Sequence, residues 1–205
     1  MFAAALIVFR ESLEAALVIG IVAAATRPIA GRGWWIALGA AIGVVGAIGV
    51  AAVAESISQM AGGAGQELFQ AIVLALAVAM LAWHNVWMAR HGREMAMQAR
   101  DLGQSVVRGD VALTAIVTAI ALTLLREGSE TVLFILGIAT SSSSSRAALV
   151  IGSLLGLGAG GAAGVLIYAG LLRVPVNRLF VVTGWLILLL AAASVAAQQF
   201  PYKSN

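Results

Sequence analysis

Six apolar stretches, each long enough to cross a lipid bilayer, follow one another along this chain of 205 residues. A hydrocarbon core is spanned by about 20 helical residues, and each stretch has about that length. With 61% hydrophobic and 10% charged residues, the chain has too little polar surface for a water-soluble domain. The sequence therefore predicts an all-α integral membrane protein with helices at approximately 2–25, 34–54, 67–89, 111–139, 147–171 and 176–199.

Arginines are distributed unevenly between the loops of this predicted topology. They are concentrated after the first, third and fifth stretches, whereas the loops after the second and fourth hold only Arg146. Because arginine-rich loops stay in the cytoplasm, both termini are expected outside. The net charge of +3 thus reflects topology, and without a basic stripe no nucleic acid partner is expected. The chain has no cysteine, which excludes disulfides and thiolate metal sites.

The motif R-E-x-x-E occurs twice, as Arg10–Glu14 in the first stretch and Arg126–Glu130 in the fourth. Each copy places three ionisable side chains near the middle of a predicted membrane helix. An unpaired charge at that depth costs about 2.5–3.5 kcal/mol on the insertion scale. Some interaction must compensate for this cost.

The two motif copies belong to two similar halves of the chain. Residues 5–25 align with 121–141 at a constant offset of 116. Each half has three predicted spans, so similar halves must lie in opposite orientations, as two inverted three-helix repeats. We expect one transmembrane domain over 1–205, with repeat one at about 1–90, a cytoplasmic connector at about 91–110, and repeat two at about 111–200. Inverted repeats keep their substrate site near the membrane midplane, where the motif falls.

The spacing within the motif indicates what such a site binds. The two glutamates are three residues apart and share a helix face, and the arginine can reach the second glutamate one turn on. Four carboxylates facing two guanidinium groups remain net negative, and oxygen ligands suit a hard cation. The alternative is a self-paired structural ion cluster, but two copies at matching positions favour a transport path. The predicted metal ligands are Glu11, Glu14, Glu127 and Glu130, with Arg10 and Arg126 as charge partners.

Five further residues are weaker candidates. Glu55 and Glu67 lie at the outer ends of the second and third stretches and are candidates for collecting cations before uptake. His84, Met88 and His91 follow one another at four- and three-residue spacing near the cytoplasmic end of the third stretch. They are candidates for an exit relay, although the neighbouring tryptophans also fit an interfacial aromatic belt.

The second and fifth stretches are rich in glycine at intervals of about four residues. Small residues at this spacing let helix backbones approach closely, which predicts helix packing; a dimer face is the alternative. The residues concerned are Gly39, Gly43, Gly46 and Gly49, and Gly152, Gly156, Gly160 and Gly164.

R-E-S-L-E in the first stretch, R-E-G-S-E in the fourth, and the third stretch reading E-L-F-Q and then L-A-W-H-N-V-W-M-A-R-H resemble the high-affinity iron permease family of fungi and bacteria. The resemblance covers essentially the whole chain, which is similar to a short bacterial-type member, although the family's usual seventh helix has no counterpart here. It implies uptake of ferric iron through the four motif glutamates, with iron as substrate, no cofactor and no catalytic residue.

The resemblance also implies a setting for the protein. It indicates a multi-pass protein embedded in the lipid bilayer of the bacterial inner (cell) membrane. A periplasmic or extracellular iron donor or oxidase is expected to supply the iron. Both a monomer and an oligomer are compatible with the sequence. Two alternatives remain. The same architecture suits another hard or borderline cation, such as manganese or lead. A membrane di-iron metalloenzyme is disfavoured, since bundle di-iron sites use Glu-x-x-His, whereas both motifs here end in glutamate.

Overall fold

The protein is built from α-helices, as the sequence predicted. A computed structural model describes residues 1–60, 66–141 and 145–170, together with 184–186 and 189, and no strand occurs in these ranges. The sixth predicted stretch falls almost entirely outside them, as does the centre of the serine run at 141–145. The helices are α1 (Phe2–Ala25), α2 (Arg32–Met60), α3 (Gln66–Arg108), α4 (Thr114–Ser141) and α5 (Arg146–Tyr168).

Helix α3 is longer than the predicted third span. It continues through the expected connector to Arg108, because 91–108 contains no proline and many strong helix formers. Its 43 residues span about 65 Å at 1.5 Å per residue, roughly twice a hydrocarbon core. It ends at Gly109, whose φ of 81° is the left-handed conformation that glycine adopts most readily after a helix.

Two of the described helices qualify as membrane spans by length and apolar composition alone, namely α5 and the segment Arg32–Ile57 of α2. Helices α1 and α4 are apolar and long enough, but each carries the three charges of its motif. The motif charges are therefore the reason why α1 and α4 do not qualify as spans by composition alone. A six-span topology stays a prediction.

The main helix packing joins the two halves of the chain. Helix α1 packs against α5, and α2 packs against α4, through the glycines that the sequence singled out. A Cβ built on seven of these eight glycines would collide with the partner helix, and Gly49, with nothing within 4 Å of its Cβ, is the exception. The α1–α5 contacts are Met1 with Gly152, Ala5 with Gly156 and Ser12 with Gly160, and the α2–α4 contacts are Gly39 with Val117, Gly43 with Ala121 and Ala47 with Gly128.

These two sets of contacts correspond position by position. Adding the offset of 116 to each α1 residue gives its α4 counterpart, and one constant shift converts the α5 residues into those of α2. At Gly156 the nearest obstructing atom is the carbonyl oxygen of Ala5, and at Gly43 the carbonyl oxygen of Ala121 obstructs together with Cβ of Leu124. The pairs α1–α5 and α4–α2 are thus packed in the same way.

Helices α1 and α4 run antiparallel and cross near their motifs. At one end, Val22 packs with Ile116 and Ile120. Towards the other, Ile7 packs with Phe134 and with Leu81 of α3. Equivalent helices of the two halves therefore point in opposite directions.

The C-terminal ends of α1, α3 and α5 lie together at one end of the bundle. A Cβ built on Gly103 of α3 would meet Ala25 and Thr26 at the end of α1. The guanidinium carbon of Arg27 lies 5.7 Å from the ring centre of Tyr168 at the end of α5. The arginines that follow α1 and those in the last turns of α3 therefore lie at the same end of the bundle.

We expect Gly156→Ala to destabilise the protein, because the added Cβ meets the carbonyl of Ala5 and lies 3.0 Å from the Cβ of Val8. Overpacking of this kind costs about 1–3 kcal/mol. Thermal unfolding in detergent, followed by size-exclusion chromatography, measures the loss. Gly158→Ala is the matched control on the same helix, because nothing lies within 4 Å of its Cβ. Equal melting temperatures for the two variants would contradict the packing described above.

Candidate cation-binding site

The four motif glutamates meet where α1 crosses α4. Glu11 and Glu14 come from α1, Glu127 and Glu130 from α4, and each is at most 8% exposed. The three-residue spacing turns both glutamates of a helix toward the crossing. The structure thus brings together all four predicted ligands, although the pair on α1 and the pair on α4 lie 116 residues apart in the sequence.

His84 of α3 completes this cluster. Its Nε2 lies 3.2 Å from Oε2 of Glu14, and its Nδ1 lies 2.7 Å from Oε2 of Glu130. The sequence placed His84 near the cytoplasmic end of a span that finished at residue 89. Because α3 continues to Arg108, His84 lies well inside the helix, on the buried face that it shares with Leu81 and Met88.

The two motif arginines have different surroundings. Arg10 is fully buried, and its Nη1 donates to Oε1 of Glu11 at 2.6 Å. Arg10 thus pairs with the first glutamate of its motif and not with Glu14 one turn on, which faces His84 of α3.

Arg126 pairs as the spacing predicted. Its Nε donates to Oε1 of Glu130 at 3.2 Å, and its side chain is 38% exposed. The guanidinium carbon lies 5.0 Å from the ring centre of Trp87, a cation–π contact that the sequence analysis did not foresee.

Several carboxylate oxygens of the cluster lack a hydrogen-bond donor among the described residues. They are Oε2 of Glu11, Oε1 of Glu14, both oxygens of Glu127 and Oε2 of Glu130, and Nε and Nη2 of Arg10 likewise have no acceptor there. Burying an unpaired carboxylate is costly, so such oxygens indicate a missing positive partner. Ionised, the four glutamates exceed the two arginines by two negative charges.

The donor atoms are close enough to hold one ion. One atom from each of Glu11, His84, Glu127 and Glu130 lies within 4.8 Å of the others. Oxygen or nitrogen ligands about 2.0–2.2 Å from a transition metal lie about 4.0–4.4 Å apart when opposite each other. Small side-chain rotations would bring these donors to bonding distance.

A cavity of about 340 Å³ borders the cluster on the side away from α3. It lies between α1, α2, α4 and α5, and Glu11 and Glu127 form part of its wall. The hydroxyl groups of Ser12, Thr131 and Ser153 line an otherwise apolar surface. The buried carboxylates therefore face open space on this side.

The remaining predicted residues lie away from the cluster or outside the described side chains. Glu55 is on the exposed surface of α2, and the side chain of Glu67 lies outside the described part of the structure. Met88 is buried one turn beyond His84. The His91 ring stacks on Trp87 with centroids 5.1 Å apart, and its Nδ1 lies 3.0 Å from the Trp87 carbonyl oxygen.

An all-helical protein with apolar outer surfaces, which keeps a net negative cluster buried at the crossing of two helices, belongs to the ion-transporting class of membrane proteins. Comparison with known proteins identifies the family. Residues 1–204 match the iron permease FTR1 family. The chain belongs to this family, as the resemblance indicated.

Curated relatives agree with this assignment. Ferrous iron permease EfeU of Escherichia coli O6:H1 is 31% identical over 201 residues, covering 96% of this chain and 71% of the relative. EfeU of Yersinia pestis is 30% identical over 200 residues, covering 96% and 70%. These relatives are named as permeases, that is, as transporters rather than enzymes. No solved structure matches the chain.

The different surroundings of the two arginines lead to a prediction. Arg10→Met removes the hydrogen-bonded partner of the buried Glu11 carboxylate, and breaking a buried ion pair costs about 3–5 kcal/mol. Arg126→Met should cost less, since solvent screens its partly exposed pairs. Melting temperatures of the two iron-free variants in detergent compare these costs. A larger loss for Arg126→Met would show that the burial of Arg10 is not what fixes the crossing.

Proposed function

We propose that this chain takes up iron across the membrane through the cluster of motif glutamates at the α1–α4 crossing. The observation that carries the proposal is the meeting of four buried glutamates, two from each half, five of whose oxygens have no hydrogen-bond partner among the described residues. A cation would supply the missing positive charge. The known members of the family supply the identity of that cation, since they are iron permeases.

The proposed architecture is a pair of inverted repeats that share this site. Two observations support it: equivalent glycine contacts join α1 to α5 and α4 to α2, and the equivalent helices α1 and α4 run antiparallel. Such an arrangement has a pseudo-two-fold axis in the membrane plane. Glu11 and Glu127, and likewise Glu14 and Glu130, are related by it.

The packing also suggests which parts move. The glycine contacts tie α1 to α5 and α2 to α4, so each tight pair contains one helix from each half. The α1–α4 crossing is the seam between the two pairs. Rocking of one pair against the other would expose the glutamates to either side of the membrane in turn, which is alternating access.

The oxidation state of the bound ion is proposed to be ferrous. The expectation of ferric iron rests on the resemblance and on the hardness of carboxylate oxygen. Two observations support ferrous iron instead: the relatives are named ferrous iron permeases, and two excess negative charges are balanced by one divalent ion. Uptake of radioactive iron under ascorbate, compared with uptake from ferric citrate, distinguishes the two states.

The path on either side of the site is proposed from the orientation of the bundle. We place the chain in the bacterial inner membrane with both termini outside, because the arginine-rich ends of α1 and α3 share one end of the bundle. Glu55 and Glu67 are then on the outer side, where an iron donor or oxidase would deliver the ion. Met88 and His91 follow the cluster along α3 toward the cytoplasm.

Iron uptake into proteoliposomes tests the proposed site. Glu14→Gln and Glu130→Gln each replace a charged carboxylate ligand by a neutral amide of similar shape. We expect uptake to fall by about tenfold or more, since even changes to residues around the metal ligands cost about 10–100-fold in metal affinity. Glu94→Gln is the control, because Glu94 is exposed on α3 and distant in sequence from the motifs. Wild-type uptake by both motif variants would exclude the cluster as the iron site.

The cavity provides a second test of the path. The chain has no cysteine, so a single introduced thiol can be modified without background. We expect Thr131→Cys to be inactivated by a small cationic methanethiosulfonate reagent, because residue 131 lines the cavity beside Glu127. Val165→Cys, on the apolar outer face of α5, should stay active under the same treatment. Inactivation of both variants, or of neither, would argue against ions reaching the glutamates from this cavity.

A further inference from the structure

We propose that His84 is a direct ligand of the transported ion and that its nitrogen makes the site prefer Fe²⁺ to Mn²⁺, Mg²⁺ and Ca²⁺. This inference rests on the proposed function, since it concerns the same cluster. It assigns a metal ligand outside both copies of the motif, because His84 lies on a third helix, α3.

The position of His84 relative to the two halves is the first argument. Its two ring nitrogens contact Glu14 and Glu130, which occupy the same place in the two copies of the motif. The imidazole therefore lies between the two halves, close to the proposed pseudo-two-fold axis that relates them. Any ion shared equally by the four glutamates lies next to it.

The burial of His84 is the second argument. On the inward face of α3 it lies between Leu81 and Met88, both apolar and both buried. An apolar side chain would continue this face at lower cost, because a buried imidazole must find polar partners for both nitrogens. The outward face at this level carries Trp83, which is largely exposed. The imidazole thus contacts the charged side chains of the cluster, namely Glu14, Glu130 and Arg126.

The two contacts of His84 differ in a way that leaves one nitrogen for the ion. The Nδ1 contact to Glu130 is short, at 2.7 Å, whereas the Nε2 contact to Glu14 is 3.2 Å. The Nε2 contact to Glu14 is a hydrogen bond, whereas Oε2 of Glu130 has no hydrogen-bond partner among the described residues although it lies close to Nδ1. With Nε2 donating to Glu14, Nδ1 keeps its lone pair, which Nη2 of Arg126 also approaches to 3.2 Å. A carboxylate that orients the far side of a ligating imidazole is a common arrangement in metal sites. An ion between Nδ1 and the Glu130 carboxylate would bind both, and both residues belong to the group whose donor atoms lie within 4.8 Å of one another.

The chemistry of imidazole gives this ligand a consequence for selectivity. Carboxylate and water suit Mg²⁺, Ca²⁺ and Mn²⁺, whereas imidazole suits iron, zinc, copper and nickel. Four glutamates alone would not discriminate well between Fe²⁺ and Mn²⁺. One nitrogen donor shifts the preference toward iron.

The alternative is that His84 only positions Glu14 and Glu130 without touching the ion. Spectroscopy separates the two roles, because the chain has only two histidines. One equivalent of Cu²⁺ is added to purified protein labelled with ¹⁵N-histidine, and electron spin-echo modulation reports histidine nitrogen at the metal. We expect this signal in the wild type and in His91→Gln, and its loss in His84→Gln and His84→Asn. A signal that survives in both His84 variants, or is absent from the wild type, would overturn the proposal.

Transport measures the consequence. In His84→Gln we expect Mn²⁺ to compete with Fe²⁺ uptake about tenfold more effectively than in the wild type, in line with the cost of about 10–100-fold for changes around metal ligands. Elution at the wild-type volume in size-exclusion chromatography confirms that each variant is folded. If Glu14→Gln and Glu130→Gln abolish uptake but His84→Gln keeps wild-type selectivity, the glutamate site stands and the role of His84 is wrong. If the glutamate variants transport normally, the proposed function itself fails.

Discussion

The burial of charge in an apolar bundle is the constraint on which the rest of this structure depends. Six ionisable side chains of the two motifs lie on α1 and α4, and all four glutamates are buried. Lipid cannot solvate them, so the helices must cross where their motifs meet. Two arginines and one histidine provide part of the compensation, and the residual negative charge makes the crossing a cation site.

Close helix packing is what allows such a crossing. The glycines of α2 and α5 bring these helices so near to α4 and α1 that no side chain fits between the backbones. In a bilayer, where no hydrophobic force draws helices together, this contact supplies the attraction. Each glycine-packed pair joins one helix from each half, and the two pairs meet along the α1–α4 crossing, which contains the cluster. The stability of the bundle and the proposed ion binding therefore depend on the same interface, the α1–α4 crossing. Movement of the two helix pairs at this interface would affect both.

Much of this could be predicted because it follows from local rules. The bounds of α1 agree with the predicted 2–25, since length and hydropathy define a span. The packing role of glycines such as Gly43 and Gly156 follows from their four-residue spacing. The pairing of Arg126 with Glu130 follows from helix geometry. The extent of α3 was less predictable, because loss of hydrophobicity after residue 89 marks the end of a span and not the end of a helix.

The sequence by itself determined that this is a helical membrane protein with a doubled acidic motif, because composition and periodicity report on solvent and on helix faces. Only the tertiary structure decided which groups share the cluster. His84 is 70 residues from Glu14, and no pattern links them. Arg10 pairs with Glu11 because α3 presents His84 to Glu14. Such choices depend on which helix lies opposite, and that is fixed by packing between distant segments rather than by spacing along one.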